Sequence, residues 1–124
     1  MSIDLLAKFS VVEKVDSTNG LELFEAFLGE TETVVLSYKH ARDRVIFTDR
    51  KIIAIDIQGL TGKKKEFRIF PYTKISSFSV ETAGTFDLDS DFKIWVSGVG
   101  VFAVKFGKRI NIKEIGEFLS EKVK

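Results

Sequence analysis

The sequence predicts a mainly β (α+β) domain. The expected architecture is an antiparallel sandwich or partly open barrel of about seven strands, closed by a C-terminal helix and preceded by N-terminal helices. Three observations predict it. From residue 34 onward, apolar residues recur with the period of two that a half-buried strand requires. Gly, Asn and Asp fall between these runs at short intervals, as in hairpin-linked sheets. No helical stretch separates one strand from the next, which disfavours parallel βαβ units.

The N-terminal segment reads as helical. Over Ser2–Val12, residues Leu5, Leu6, Phe9 and Val12 follow helical spacing, with Ser2 placed to cap and Asp4 in the first turn. A polar stretch ends at Asn19-Gly20, and a second helix is expected over Leu21–Leu28. Its stripe is Leu21, Phe24, Phe27 and Leu28, with Glu22 and Glu25 opposite, and Gly29 suits a left-handed C-terminal residue. Residues 1–29 are therefore expected to form a helical segment that packs on the domain or on a neighbour, and residues 30–124 the domain itself.

Strands are expected at Val34–Lys39, Arg44–Thr48, Lys51–Ile57, Glu66–Phe70, Ile75–Glu81, Phe92–Ser97 and Val101–Phe106. Pro71, the sole proline, has no N–H to donate and should end the fourth of these. In the later strands Phe78, Val80, Phe92, Ile94, Val96, Phe102, Val104 and Phe106 point inward by alternation, and Trp95 points outward. Asn111 with Glu114 three residues on reads as a capping box for a last helix, whose stripe is Ile112, Ile115, Phe118 and Leu119. Gly116 within it weakens the helix by about 1 kcal/mol relative to Ala, and its small size suits close approach to a sheet.

With 124 residues the chain suffices for one core. Twelve Phe against two Tyr and one Trp favour a packed interior over a wet contact surface. Nineteen basic and eighteen acidic residues leave no global field to attract nucleic acid or an anionic membrane, so nucleic acid is not expected as a partner. The lack of cysteine excludes disulfides, thiolate metal sites and cysteine nucleophiles, and the single histidine excludes zinc held by two imidazoles of one chain. No apolar run approaches the roughly 20 residues of a membrane span. Asp4 and Lys8 interrupt the apolar N-terminus, so it does not read as a secretory signal, and a cytoplasmic protein is expected.

Several short words in fixed order extend this reading: Tyr38-Lys39-His40-Ala41-Arg42-Asp43, Phe47-Thr48-Asp49-Arg50-Lys51 and Gln58-Gly59-Leu60-Thr61-Gly62-Lys63-Lys64. Pro71-Tyr72, Glu81-Thr82-Ala83-Gly84-Thr85-Phe86-Asp87-Leu88-Asp89 and Lys93-Ile94-Trp95 follow. Together, from Leu28 to Leu119, they resemble the bacterial pleckstrin-homology (PH) domain family. The resemblance implies the PH-like fold and a binding or assembly module rather than an enzyme, with oligomers, some of them rings, among the bacterial members. Eukaryotic relatives that bind phosphoinositides carry a dense basic cluster between their first two strands. Here that connection holds His40, Arg42 and Arg44 with Asp43, so inositol-phosphate binding does not carry over.

Candidate sites are few, and no catalytic residue, metal or cofactor is expected. Lys63, Lys64 and Lys65 form the densest charge run. They read first as a solvated hairpin end and second as a grip for an anionic phosphate headgroup or peptide, a membrane surface being the lesser alternative. Arg42-Asp43-Arg44 and Asp49-Arg50-Lys51 bracket one strand, so Arg42, Asp43 and Arg50 are expected in cross-strand ion pairs or at a subunit boundary. Asp87, Asp89 and Asp91 alternate but fail the calcium-loop pattern, with Phe92 and Gly98 at its sixth and twelfth positions, and read as an acidic turn. His40 stands without a nucleophile pattern. Trp95, Phe9 and Phe24 are expected either to pack within the chain or to anchor a homo-oligomer interface. The expected function is a self-assembling, non-catalytic scaffold module.

Overall fold

The computed structural model describes residues 3–82 and 89–124, with side chains from Phe9 onward. Ser2, the side chains of Leu5 and Leu6, the turn expected at Ala83-Gly84, and Asp87 lie outside the described residues.

Alternation produces the strands where the sequence places them: β3 (Val34–His40), β4 (Asp43–Thr48), β5 (Lys51–Gln58), β6 (Lys64–Pro71), β7 (Ile75–Glu81), β8 (Ser90–Val96) and β9 (Gly100–Phe106). Pro71 ends β6, and a single 3-10 turn, Tyr72–Lys74, leads into β7. Helix α2 (Ile112–Lys122) starts at Asn111, whose Oδ1 accepts from the Lys113 backbone N–H at 3.1 Å. The reciprocal half of the expected capping box does not form. Glu114 instead accepts from Lys14 Nζ at 2.8 Å.

The N-terminus departs from expectation. Ile3–Val11 is a strand, β1, and Glu13–Val15 a second short one, β2. β1 runs parallel to β9 with two register shifts, between Asp4 and Leu6 and between Leu6 and Phe9. The open edge of β9 supplies hydrogen-bond partners along one side of β1, whereas an isolated helix of that length is marginal in water. Phe9 and Val11 turn into the core, at 5% and 0% exposure, and Val12, counted in the helical stripe, lies on the surface. The second helix is confined to α1 (Leu21–Phe24) and a 3-10 turn over Glu25–Phe27, after which Leu28 is extended. The left-handed glycine is Gly20, ahead of α1, and Gly29 has no positive φ.

Two sheets result, ordered β1-β9-β8-β7 and β2-β3-β4-β5-β6. Except for β1 on β9, every pair is antiparallel. The chain crosses between sheets at Val11-Val12. The Val11 carbonyl accepts from Gly107 N–H at 2.8 Å, and Val12 N–H donates to the Lys39 carbonyl at 3.0 Å. A Cβ at Gly107 would lie 3.1 Å from Val12 Cα, tighter than an ordinary contact, so the crossing favours a residue without one.

The main core fills the space between the sheets. Tyr38, Phe47, Phe92, Phe102 and Phe106 form edge-on aromatic contacts or pack alongside, and Ile112, Ile115 and Leu119 of α2 close it. A smaller second core lies outside the five-stranded sheet. There Ile46, Ile53 and Ile55 are fully buried beneath Phe24 of α1. β5 is thus apolar on both faces, with Ile52 and Ala54 inward and Ile53 and Ile55 under the helix. Burying the Phe24 ring contributes about 1.5–3 kcal/mol.

Candidate interaction surfaces

The two sheets differ on their outer faces. α1 and the following 3-10 turn cover the outer face of the five-stranded sheet. On the four-stranded sheet, β8 alternates so that Ser90, Phe92, Ile94 and Val96 are buried while Lys93 and Trp95 project outward. Trp95 is 37% exposed and sits opposite Ser77 on β7 and Val101 on β9. Lys93 lies opposite Ser79 and Ala103. Beside them a depression of about 260 Å³ is lined by Ser10, Asp91, Lys93, Ala103 and Lys105. Lys105 Nζ is 3.5 Å from Asp91, and both are partly in water, so the pair contributes about 0–1 kcal/mol. Trp95 thus presents a partly exposed indole on this face, an arrangement that suits an aromatic anchor for a partner.

Phe9 and Phe24, the other two expected anchors, are corrected. Phe9 packs 6.0 Å from Phe102 in the main core, and Phe24 is 0% exposed in the second core. Neither is available to another subunit. The exposed aromatic of the helical segment is Phe27, 38% exposed and stacked on Phe67 at 4.7 Å. The chain leaves helical geometry at Phe24 itself, where φ is −127°, so Phe27 in the following 3-10 turn does not continue the stripe that Phe24 belongs to.

Among the described residues, the Arg42-Asp43-Arg44 and Asp49-Arg50-Lys51 triplets form no ion pair with each other, and Lys51 pairs with Glu32 instead. Arg42 Nη1 donates to the Gly59 carbonyl at 2.8 Å, tying the β3–β4 turn to the β5–β6 turn. Asp43 accepts from the Ile57 N–H at 3.4 Å. Burial pushes the Asp43 carboxyl above its ordinary value, and the Asp56 charge adds to this against the Ile57 bond. Arg44 donates to the Asn19 carbonyl and side chain, and Arg50 to Thr31 Oγ1 at 2.6 Å. The three arginines thus donate to carbonyl, amide and hydroxyl oxygens in nearby loops, and the strand register sets Arg44 against Lys39 and Ile55 rather than against an acid. His40 is exposed at the end of β3. Asp91 pairs with Lys105 as described, and among the described residues no group of acidic or imidazole side chains gathers to hold a metal.

Lys63, Lys64 and Lys65 are exposed at the β5–β6 hairpin. Its tip carries a feature that charge counting did not single out. Leu60 is fully exposed, at 106%, between Gly59 and Gly62, whose φ values of 81° and 68° make the turn. The signal in the sequence was a lone leucine inside a Gly-Leu-Thr-Gly turn.

A buried polar cluster fixes α1 to its sheet. The Glu32 side chain, 0% exposed, accepts from Gly29 N–H at 2.7 Å, from Lys51 Nζ at 2.8 Å and from Thr48 Oγ1. Desolvation raises its pKa, but the Gly29, Lys51 and Thr48 bonds outweigh it and hold the carboxyl below its ordinary value. The carbonyl of Thr48 also accepts from the buried Tyr72 hydroxyl at 2.7 Å.

The fold and its family agree. The bacterial PH domain model matches residues 4–123, and the chain belongs to that family. It is similar to a DUF1696-family protein with a PH domain from Shewanella loihica PV-4, solved by crystallography. That structure superposes with a TM-score of 0.81 at 33% identity, over 90% of this chain and 96% of the other. The PH domain from Shewanella amazonensis SB2B gives a TM-score of 0.71 at 35% identity, covering 89% and 90%. Among curated sequences, the uncharacterised Bacillus subtilis (strain 168) protein YjqA is 50% identical over 93 residues, 73% of this chain and 74% of that one. YozO of the same organism, also uncharacterised, is 32% identical over 114 residues, 91% and 94% of the two chains. Among the described residues no helix is long and apolar enough to cross a membrane.

Proposed function

We propose that this chain is a non-catalytic PH-like interaction module of the cytoplasm that assembles with copies of itself. The observation that carries the reading is the asymmetry of the two outer faces. One is covered by the chain's own helix over Phe24, and the other presents Trp95 at 37% exposure among Lys93, Ser77, Val101 and Ala103. Burial of that indole against a like subunit removes apolar area from water at about 25 cal/mol per Å², and charged residues at the rim set orientation. Trp95→Ala tests it by sedimentation velocity. Thermal unfolding verifies that the variant folds, and its assembly is expected to weaken. Unchanged assembly in Trp95→Ala contradicts the reading. Deleting residues 1–29 would not test it, because β1 and β2 belong to the two sheets.

A second reading, capture of an anionic phosphate headgroup, is favoured by the β5–β6 tip. Three exposed lysines flank the fully exposed Leu60, and Arg42 holds the turn through Gly59. Each lysine near an anionic surface contributes about 1 kcal/mol, and an inserted leucine about 1.5–3 kcal/mol. Sedimentation with phosphatidylserine-containing vesicles tests it. Binding that falls with salt, with Lys63–Lys65 neutralised and with Leu60→Asp supports it, and equal binding to neutral vesicles contradicts it.

A further inference from the structure

β7 ends the four-stranded sheet, so its backbone groups that point away from β8 have no strand to pair with among the described residues. Its register with β8 shifts between Ile75 and Ser77 and then runs unbroken from Ser77 to Glu81. The free edge of the other sheet at β6 is guarded. Lys64 and Lys65 stand on it, and Pro71, without an N–H, ends it. β7 contains neither lysine nor proline, and its Ser77 and Ser79 are exposed.

Beside this edge α2 leaves a groove. Phe78 and Val80 pack toward the core from β7 but stay half-buried, where the helix presents Gly116 and Ser120. A depression of about 420 Å³ lies between them, with Lys113 and Glu117 on its helical wall. A Cβ on Gly116 would lie 3.4 Å from Val80 Cγ2, and Ser120 Oγ donates to the Gly116 carbonyl at 2.9 Å, so neither residue fills the space. Lys113 and Glu117 are opposite in sign and one turn apart, which gives the groove no preference for a charged occupant. The open edge fixes the occupant's conformation. Unpaired N–H and C=O groups are satisfied by an extended main chain, whereas a helix has spent its own groups internally. Such a chain sends alternate side chains to one side, and here those meet Phe78 and Val80. We infer that the groove between β7 and α2 binds an extended segment of a partner protein, added to the sheet as a strand beside Ser77–Glu81. Uncharged apolar residues at every second position of that segment enter the groove. Trp95 projects from the outer face of the same sheet, so this site is independent of the self-assembly reading.

Panning a random-peptide phage library against the intact chain supplies the probe. Peptides that alternate apolar and polar residues are expected to be enriched, and one of them is synthesised with a fluorescent label. Read by fluorescence anisotropy, Ser120→Arg, which sets a bulky cation in the groove, is expected to weaken its binding at least about 10-fold. Ser120→Ala leaves the space open and is expected to bind as wild type does. Ser120 is exposed, and thermal unfolding verifies that both variants fold. The peptide is also made with N-methyl groups on every second residue, in the two possible phases. Only the N–H groups that face β7 form the ladder, so one phase is expected to abolish binding and the other to retain it. That comparison uses the wild-type chain alone and holds even where Ser120→Arg fails to fold. Equal binding by the two phases overturns the inference. So does a peptide that binds folded Ser120→Arg as tightly as wild type, or a library that yields no alternating sequence. A wild-type dimer that Ser120→Arg dissociates assigns the edge to a second copy and overturns it too. Trp95→Ala is expected to leave peptide binding unchanged, so failure of the self-assembly reading is seen separately.

Discussion

Removing the Glu32 carboxylate should loosen α1 from its sheet at a cost that can be worked from its bonds. Glu32→Ala leaves the Gly29 N–H without its acceptor, frees Thr48 Oγ1, and strands the Lys51 ammonium, whose side chain is 18% exposed. A buried donor left unsatisfied costs about 1–3 kcal/mol, and breaking a buried charge pair about 3–5 kcal/mol. Lys51 retains a path to water, so the sum is reduced to about 2–4 kcal/mol. With a urea m-value of about 1.5 kcal/mol per M, the unfolding midpoint drops by roughly 1.3–2.7 M. Urea unfolding followed by circular dichroism reads this, with m unchanged. Because Glu32 closes the loop behind the 3-10 turn, the ridge carrying Phe27 is expected to lose amide-exchange protection as well. A loss below 1 kcal/mol refutes the account of Glu32 as the clamp.

The same carboxyl sets the acid response. Its folded pKa is depressed, so its contribution is complete above the ordinary carboxyl value of 4.5 and is lost as pH falls through the lower folded value. Stability measured by urea titration should therefore fall below about pH 4.5, and less steeply in Glu32→Gln. Gly116→Ala is expected to raise stability by about 0.5–1 kcal/mol. A Cβ there meets Val80 Cγ2 at 3.4 Å, an ordinary contact, and helix propensity improves; a thermal melt that falls instead places the helix closer to β7 than the structure does. The two buried tyrosines should behave differently. Tyr72→Phe loses the bond to the Thr48 carbonyl and about 0.5–1.5 kcal/mol. Tyr38→Phe removes a hydroxyl with no hydrogen-bond partner among the described residues, and chemical denaturation should show little change.

How far the sequence carried the fold depends on local regularity. β8 alternates without a break from Phe92 to Val96, and its inward and outward residues, Trp95 included, follow the expected pattern. β1 fails the same test because its ladder shifts register twice before Phe9. Each irregularity breaks the period of two, and Leu5, Leu6, Phe9 and Val12 then coincide with helical spacing. The different fates of Phe24 and Phe27 turn on a break in helical geometry at Phe24, where φ is −127°, a break that the 3.6-residue period does not announce. Glu32, Thr48 and Lys51 converge from separate segments, and charge spacing along the chain suggested strand-to-strand pairs there instead. The basic run Lys63–Lys65 was legible as charge, whereas the protrusion of Leu60 follows from the hairpin geometry around Gly59 and Gly62.

Mass in solution as a function of concentration tests the central claim most directly. Sedimentation velocity of the intact chain over a hundredfold concentration range should show a species at a whole multiple, above one, of 14.0 kDa that Trp95→Ala weakens. A single 14.0 kDa species throughout, with Trp95→Ala indistinguishable from it, contradicts the account.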